Sequence, residues 1–200
     1  MCAFGGLAGV TDGMKKLLWL GAGVLAVGFG VAACATSRAG YATAPYKVIR
    51  AEGAFEIREY PEISIVATER GRDGDSFMRL FRYIDGGNAT KEKISMTTPV
   101  FMVDGKMAFV MPEKNQAAPP LPTSAQVKLD RMKAQQVAVY RYSGARSDKS
   151  EPAALKTLRA WMAENKWAEA GKPFAAYYDP PWTPGFLRRN EVLVPVTPGS

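Results

Sequence analysis

The sequence predicts an α+β domain in which two strand-strand-helix-strand-strand halves merge in one strongly curved antiparallel sheet or distorted barrel with two helices. Three observations point there. Apolar residues occupy every second position through several short runs, as in half-buried strands. Two longer segments repeat apolar residues at helical spacing. The same order of elements then occurs on each side of a proline-dense stretch.

In the first half, Phe55 and Ile57, then Ile63, Ile65 and Ala67, mark a pair of strands. Asp75-Ser76 offers a helix N-cap, and Phe77, Leu80, Phe81 and Ile84 form a stripe before Gly86-Gly87 ends the helix. Val100 and Met102, then Met107, Phe109 and Met111, mark the next pair, with Asp104-Gly105 as the hairpin turn between them. From Asn115 to Ser124 the prolines are too dense for a helix or a central strand, which leaves a surface connection.

The second half has strands at Val127 to Asp130 and Val137 to Tyr142. Its helix opens at Ser150 with Pro152 in the first turn and carries Leu155, Leu158 and Trp161 or Met162 on one face. Strands at Phe174 to Tyr178 and Val192 to Val196 complete it. Neither half, about 46–114 or about 125–196, has enough apolar positions to close a core alone, so both belong to one domain, 46–196. A cleft is expected where they meet.

At 47% hydrophobic and 22% charged, the composition is that of a globular chain and excludes a disordered or fibrous one. The chain has no histidine. That removes a Ser-His-Asp or Cys-His nucleophile, an H-E-x-x-H zinc site and a His-ligated haem. Glu56, Glu59, Glu62 and Glu69 are the carboxylates available for paired acid/base work, but they fall among strand positions where charged outward faces are the usual explanation. The chain reads as non-catalytic, with no metal ion site.

Cys2 and Cys34 are the only cysteines, so no disulfide framework holds the fold. Met14-Lys15-Lys16 followed by an uncharged run from Leu17 to Ala33 is a basic region and an apolar core in the order of a secretion signal. Val31-Ala32-Ala33-Cys34 resembles the bacterial lipoprotein box, which implies cleavage after residue 33 and lipidation of Cys34, with soluble export and an uncleaved signal anchor as the alternative readings of the same segment. Met14 is then the true start. Residues 1–33 are an upstream extension and signal peptide, and 34–45 a flexible tether. The expected location is the bacterial cell envelope, membrane-anchored and facing the periplasm; Ala35 after the cysteine points to the outer membrane. The net charge of +7 is scattered, with no basic stripe interleaved with aromatics, so no nucleic-acid partner is expected. A monomer is expected.

Four ordered motifs remain. They are Tyr83 to Asn88 at the end of the first helix, Met96-Thr97-Thr98-Pro99-Val100 entering a strand, Tyr178-Asp179-Pro180-Pro181, and Arg188-Arg189-Asn190-Glu191-Val192. Together they resemble the SOUL, or haem-binding protein, family, over about Tyr46 to Val196. The resemblance implies a duplicated α+β distorted barrel like that of the effector-binding domains of certain transcription regulators. It also implies a hydrophobic cleft for haem or a related tetrapyrrole between the first helix and the loop before the last strand, used by a carrier, buffer or sensor. Carried onto this chain, the cleft takes Phe77, Phe81, Arg82 and Tyr178; Trp182 and Phe186 join them because they lie on the same proline-stiffened loop. Aromatic rings can cover a porphyrin face, and Arg82, Arg188 or Arg189 can pair its propionates. Iron ligation by histidine, proposed for some relatives, cannot occur here; the residual ligand types are Tyr178, Tyr83, Met78 and Met96. The Arg189-Asn190-Glu191 run also fits a structural tie of the last strand to its neighbours. Two other functions fit the same fold: a binding module for another flat hydrophobic small molecule, and a structural envelope lipoprotein without ligand.

Overall fold

The computed structural model describes residues 40–147 and 149–199. Cys34, the signal segment and most of the expected tether lie outside the described residues. The folded unit begins at Tyr41, earlier than the expected start at Tyr46. β1 (Ala42–Thr43) pairs in parallel with β5 (Thr97–Thr98), and Ala44 is buried with its N–H donating to the Thr98 carbonyl at 2.8 Å. Residues 42–44, expected in a flexible tether, are therefore held by backbone pairing that no side-chain pattern announces.

β2 (Lys47–Glu52) and β3 (Phe55–Tyr60) form the first hairpin, and β4 (Ile63–Glu69) follows. β2 was not expected as a strand. All six of its residues are exposed because it is an edge strand with no cover on either face, and so it has no apolar period. Helix α1 (Asp73–Ile84) starts before the expected Asp75-Ser76 cap. Ser76 lies inside it, where its hydroxyl accepts the Gly71 N–H at 2.9 Å and ties down the incoming loop. β6 (Val100–Val103) and β7 (Lys106–Val110) turn at Asp104 (φ 48°) and Gly105 (φ 72°), the two positive φ angles of a tight type I′ hairpin.

The second half contains β8 (Val127–Met132), β9 (Gln135–Tyr142), helix α2 (Ser150–Glu164), β10 (Trp167–Glu169), β11 (Phe174–Tyr177) and β12 (Asn190–Pro198). On α2 the buried face is Ala154, Leu158, Trp161 and Met162, with Leu155 at its margin. The proline-dense connection does more than bridge the halves. Pro120 is buried and its carbonyl accepts the Tyr83 hydroxyl at 2.8 Å.

The sheet order is β2-β3-β9-β12-β11-β6-β7-β4-β8, with β10 added to β12. β6 and β11 meet at the centre, and each half lends strands to the other: the β2–β3 hairpin joins β9 through β3, and β8 pairs with β4. Neither half can keep its sheet without the other, which is why they form one domain. β2 and β8 remain as ends, so the sheet curls without closing into a barrel.

Both faces of this sheet are covered. The concave face encloses Tyr60, Ile65, Phe101, Val139, Phe174, Tyr178 and Leu193. On the convex face, α1 packs Leu80, Tyr83 and Ile84 over Val66, Met102 and Phe109. α2 packs Leu158, Trp161 and Met162 over Ile57, Val192 and Val194. Each fully buried Leu or Phe in these layers contributes about 1.5–3 kcal/mol of apolar burial.

Candidate functional site

Exposed large apolar side chains include Met78 and Phe81 on α1 and Trp182 and Phe186 on the loop before β12, besides Tyr41, Val48, Ile49 and Leu121 elsewhere. Helical spacing sends Leu80, Tyr83 and Ile84 into the sheet and brings Phe77 and Phe81 one turn apart at the margin of that face. Their rings lie 6.2 Å apart and 16° from parallel. Phe77 also packs edge-on against Phe109 of β7 at 5.3 Å, which fixes its ring. Phe81 is 39% exposed, and Met78 beside it is similarly open. Arg82, one turn from Met78, is exposed and makes no ion pair among the described residues. The result is a short, flat aromatic surface with a cation at its edge.

The helix ends on a built turn. Gly86 adopts φ +100°, and a side chain at Gly87 would place Cβ 2.6 Å from the Arg82 carbonyl oxygen, whose partner is the Gly87 N–H at 2.8 Å. Asn88 is buried. Its amide donates to the carbonyls of Tyr83 (3.0 Å) and Glu92 (2.8 Å), and its Oδ1 accepts from Thr90 Oγ1 (2.9 Å) and the Glu92 N–H (3.0 Å). The Tyr83 to Asn88 motif thus fixes the end of α1, and Thr97 of the next motif donates to the Val110 carbonyl at 2.6 Å.

The loop from Asp179 to Arg189 is stiffened from within. Arg188 donates from Nε to the Thr183 carbonyl at 2.7 Å and from Nη2 to the Pro181 carbonyl, and Asp179 Oδ2 accepts the Arg189 N–H at 2.6 Å. On this frame Trp182 and Phe186 stand 82% and 76% exposed. Among the described residues neither stacks on another aromatic ring. They extend an apolar surface from the loop.

Tyr178 is elsewhere. Strand alternation puts Ala175 and Tyr177 on the convex face with the α1 layer, and Phe174, Ala176 and Tyr178 on the concave face. Tyr178 is 6% exposed and donates to Glu191 Oε2 at 2.9 Å. The structure therefore brings Phe77, Phe81 and Arg82 together and leaves Tyr178 across the sheet from them. Tyr177 is the tyrosine on the helix side; its hydroxyl donates to Glu151 Oε2 at 2.8 Å, and Arg146 stacks 3.9 Å from its ring centroid.

Tyr178 belongs to a buried charged cluster that motif reading touched only at one end. Arg58 donates from Nη1 to Glu191 Oε2 at 2.7 Å and from Nη2 to Oε1 at 3.0 Å. Its Nε reaches Glu56 Oε2 at 2.6 Å, and its guanidinium lies 4.3 Å over the Tyr46 ring. Arg189 donates to Glu191 Oε1 at 2.6 Å and lies 4.0 Å over the Tyr178 ring. Burial alone raises the Glu191 carboxyl, but the hydrogen bonds and charges of Arg58 and Arg189 outweigh it and hold the group below the usual carboxylate range. Burial pushes the Tyr178 and Tyr60 hydroxyls well above theirs. The Arg189-Asn190-Glu191 run is the structural tie expected of it, with Asn190 Nδ2 donating to the Gly144 carbonyl at 3.0 Å. Glu56 departs from expectation. It turns inward to Arg58, because β3 lays Phe55 and Ile57 against α2 and leaves the opposite face to Glu56, Arg58 and Tyr60.

Of the residues expected to line a tetrapyrrole cleft, Phe77, Phe81 and Arg82 lie together on α1. Arg188 and Arg189 are engaged within the loop and with Glu191. Of the ligand types available to iron, the Tyr83 and Tyr178 hydroxyls are buried and donate to Pro120 and Glu191, whereas Met78 is exposed beside Phe77 and Phe81.

Residues 41–195 match the SOUL heme-binding protein family. Heme-binding protein 1 of Xenopus laevis is 26% identical over 156 residues, which cover 70% of this chain and 82% of that protein. Two solved structures share the fold. A hydrolase from Listeria innocua superposes with a TM-score of 0.53 at 11% identity, covering 74% of this chain and 94% of that one. EcmrR in its complex with DNA gives a TM-score of 0.52 at 14% identity; 73% of this chain is covered, and the match spans 57% of the EcmrR chain.

Proposed function

The chain belongs to the SOUL heme-binding protein family, and from that membership we propose that it binds haem or a related tetrapyrrole on the α1 surface, as a non-catalytic carrier, buffer or sensor. Phe77 and Phe81 cover the macrocycle face, Arg82 pairs a propionate, and the stiffened loop offers Trp182 and Phe186 as a second apolar contact. The observation that carries this reading is the near-parallel, partly exposed Phe77–Phe81 pair, with an exposed arginine beside it that makes no ion pair among the described residues. Met78, exposed beside the pair, is the side chain on this surface that could offer iron a ligand; with no imidazole in the chain, a bis-nitrogen low-spin spectrum is not expected. The Xenopus laevis relative, by its name a heme-binding protein, supports the same reading. The Val31 to Cys34 box supports a lipid-anchored life in the bacterial envelope, with the domain facing the periplasm.

Titration of the purified chain with haem, followed by Soret absorbance and tryptophan quenching, tests the site. Saturable one-to-one binding that is lost in Phe77→Ala/Phe81→Ala and weakened in Arg82→Glu supports it. Unsaturable binding, or saturable binding indifferent to those changes, rejects it. Intact-mass spectrometry of membrane fractions tests the anchor: the mass must lack residues 1–33 and carry acyl chains.

A further inference from the structure

The concave face of the sheet is open beside β4, β6, β8 and β11. A cavity of about 340 Å³ lies there. Its apolar lining is Ile65, Ala67, Phe101, Val103, Met132 and Phe174, continuous with the concave core. The polar lining includes four cations, Lys106, Arg131, Lys133 and Lys172, against two carboxylates, Asp104 and Asp130. The carboxylates already have partners. Asp104 pairs with Lys172 at 3.3 Å, and Asp130 accepts the Arg131 N–H at 2.8 Å. Arg131 pairs with Glu62 at 2.5 Å. Lys106 and Lys133 make no ion pair among the described residues, and Asp130, bonded only to a neutral backbone N–H, keeps its charge, so a net positive charge is left at the cavity.

We propose that this cavity is a second ligand site, which takes a small amphipathic anion: one aromatic ring or a short acyl chain bearing a carboxylate. The volume is at the lower end of ordinary ligand pockets, roughly 300–1,000 Å³, which suits one ring and leaves no room for a macrocycle. The ring or chain enters against Phe101 and Phe174, whose own rings meet edge-on at 5.6 Å and present a fixed wall. The carboxylate stays at the mouth, where Lys106 and Lys133 reach it on flexible stems. A cationic amphipath of the same shape meets the same wall but the wrong charge. This site lies on the concave face and the Phe77–Phe81 surface on the convex one, so the two assignments are independent.

Calorimetric titration of the full chain with 4-phenylbutyrate, 4-phenylbutylammonium and 4-phenylbutanol tests it. The expected result is one-to-one binding of the carboxylate, at least tenfold tighter than of the ammonium. Lys106→Glu/Lys133→Glu, both at the mouth, should weaken the carboxylate at least tenfold while haem titration is unchanged. Ala67→Trp, which fills the cavity, should abolish binding of all three; thermal melting of each variant establishes that it is folded. Equal binding of carboxylate and ammonium, indifference to the lysine reversal, or sensitivity to Phe77→Ala/Phe81→Ala overturns the proposal.

Discussion

Arg58 and Glu191, 133 residues apart in the chain, meet as a two-pronged ion pair at 2.7 and 3.0 Å, with both side chains almost wholly out of solvent. β3 carries the first and β12 the second, and β9 lies between them. The pair therefore reports that the two halves have assembled around β9. Removing one partner strands a buried charge. Arg58→Ala and Glu191→Ala should each cost about 3–5 kcal/mol in urea unfolding. Arg58→Ala/Glu191→Ala should cost less than the sum, since neither residue then strands the other's charge, although Glu56 and Arg189 each lose a partner; strict additivity would deny the coupling.

Acid should weaken the same contact. In the folded protein the Glu191 carboxyl is held below its ordinary range, whereas an unfolded chain binds that proton near pH ~4.3. The stabilisation is complete above that pH and is lost as pH falls through the lower folded value. Glu191→Gln should accordingly be less stable than the parent at pH 7, with the gap narrowing as pH drops below ~4. A gap that stays constant between pH 6 and pH 3 assigns the acid limb to other groups.

Alkali acts on the tyrosines in the opposite sense. Burial, with the Glu92 charge adding to it, pushes Tyr83 up to about 12, and burial also raises Tyr60, Tyr177 and Tyr178. Their neutral forms stabilise the fold fully below ~10, where the unfolded chain begins to ionise. That stabilisation is lost as pH rises through the folded values. Tyr83→Phe should remove part of this alkaline slope, measured by circular dichroism between pH 9 and 12. An unchanged slope would clear Tyr83 of the role.

Two glycines of the first helix region should respond in opposite directions. A Cβ at Gly87 would lie 2.6 Å from the Arg82 carbonyl oxygen, a backbone atom that cannot swing aside, whereas Gly74 has nothing within 4 Å. Gly87→Ala should lower the melting temperature by several degrees, and Gly74→Ala, within α1, should raise stability by up to about 1 kcal/mol. Haem affinity should fall with the first change, because the Gly87 turn sets the end of the helix that bears Arg82.

Along α1 and the loop, stability and binding should separate by residue. Leu80→Ala opens the packed layer beneath the helix and should cost about 2–5 kcal/mol. Trp182→Ala and Phe186→Ala, exposed on a loop braced by Arg188, should change stability by less than about 0.5 kcal/mol. A measurable loss of haem affinity in those two, with melting unchanged, is the signature of a contact made only with ligand.

What the sequence determined by itself was local. The period of two in Ile63 to Ala67 and of 3.6 in Phe77 to Ile84, the Asp104-Gly105 turn and the proline-dense junction are written in neighbouring residues, and they suffice to place most strands, both helices and the duplication. The edge strand β2 and the β1–β5 pairing escaped because exposed or backbone-held segments carry no apolar period. The tertiary structure decided which face of each strand looks where. This sheet is covered on both sides, by the concave core and by the helices, so β4 and β11 are buried almost throughout and alternation no longer says inside from outside. For that reason Tyr178 faces away from the α1 layer and Tyr177 toward it, Glu56 turns inward, and the pairing of Arg58 with Glu191 becomes visible only once β3 and β12 have been brought to either side of β9.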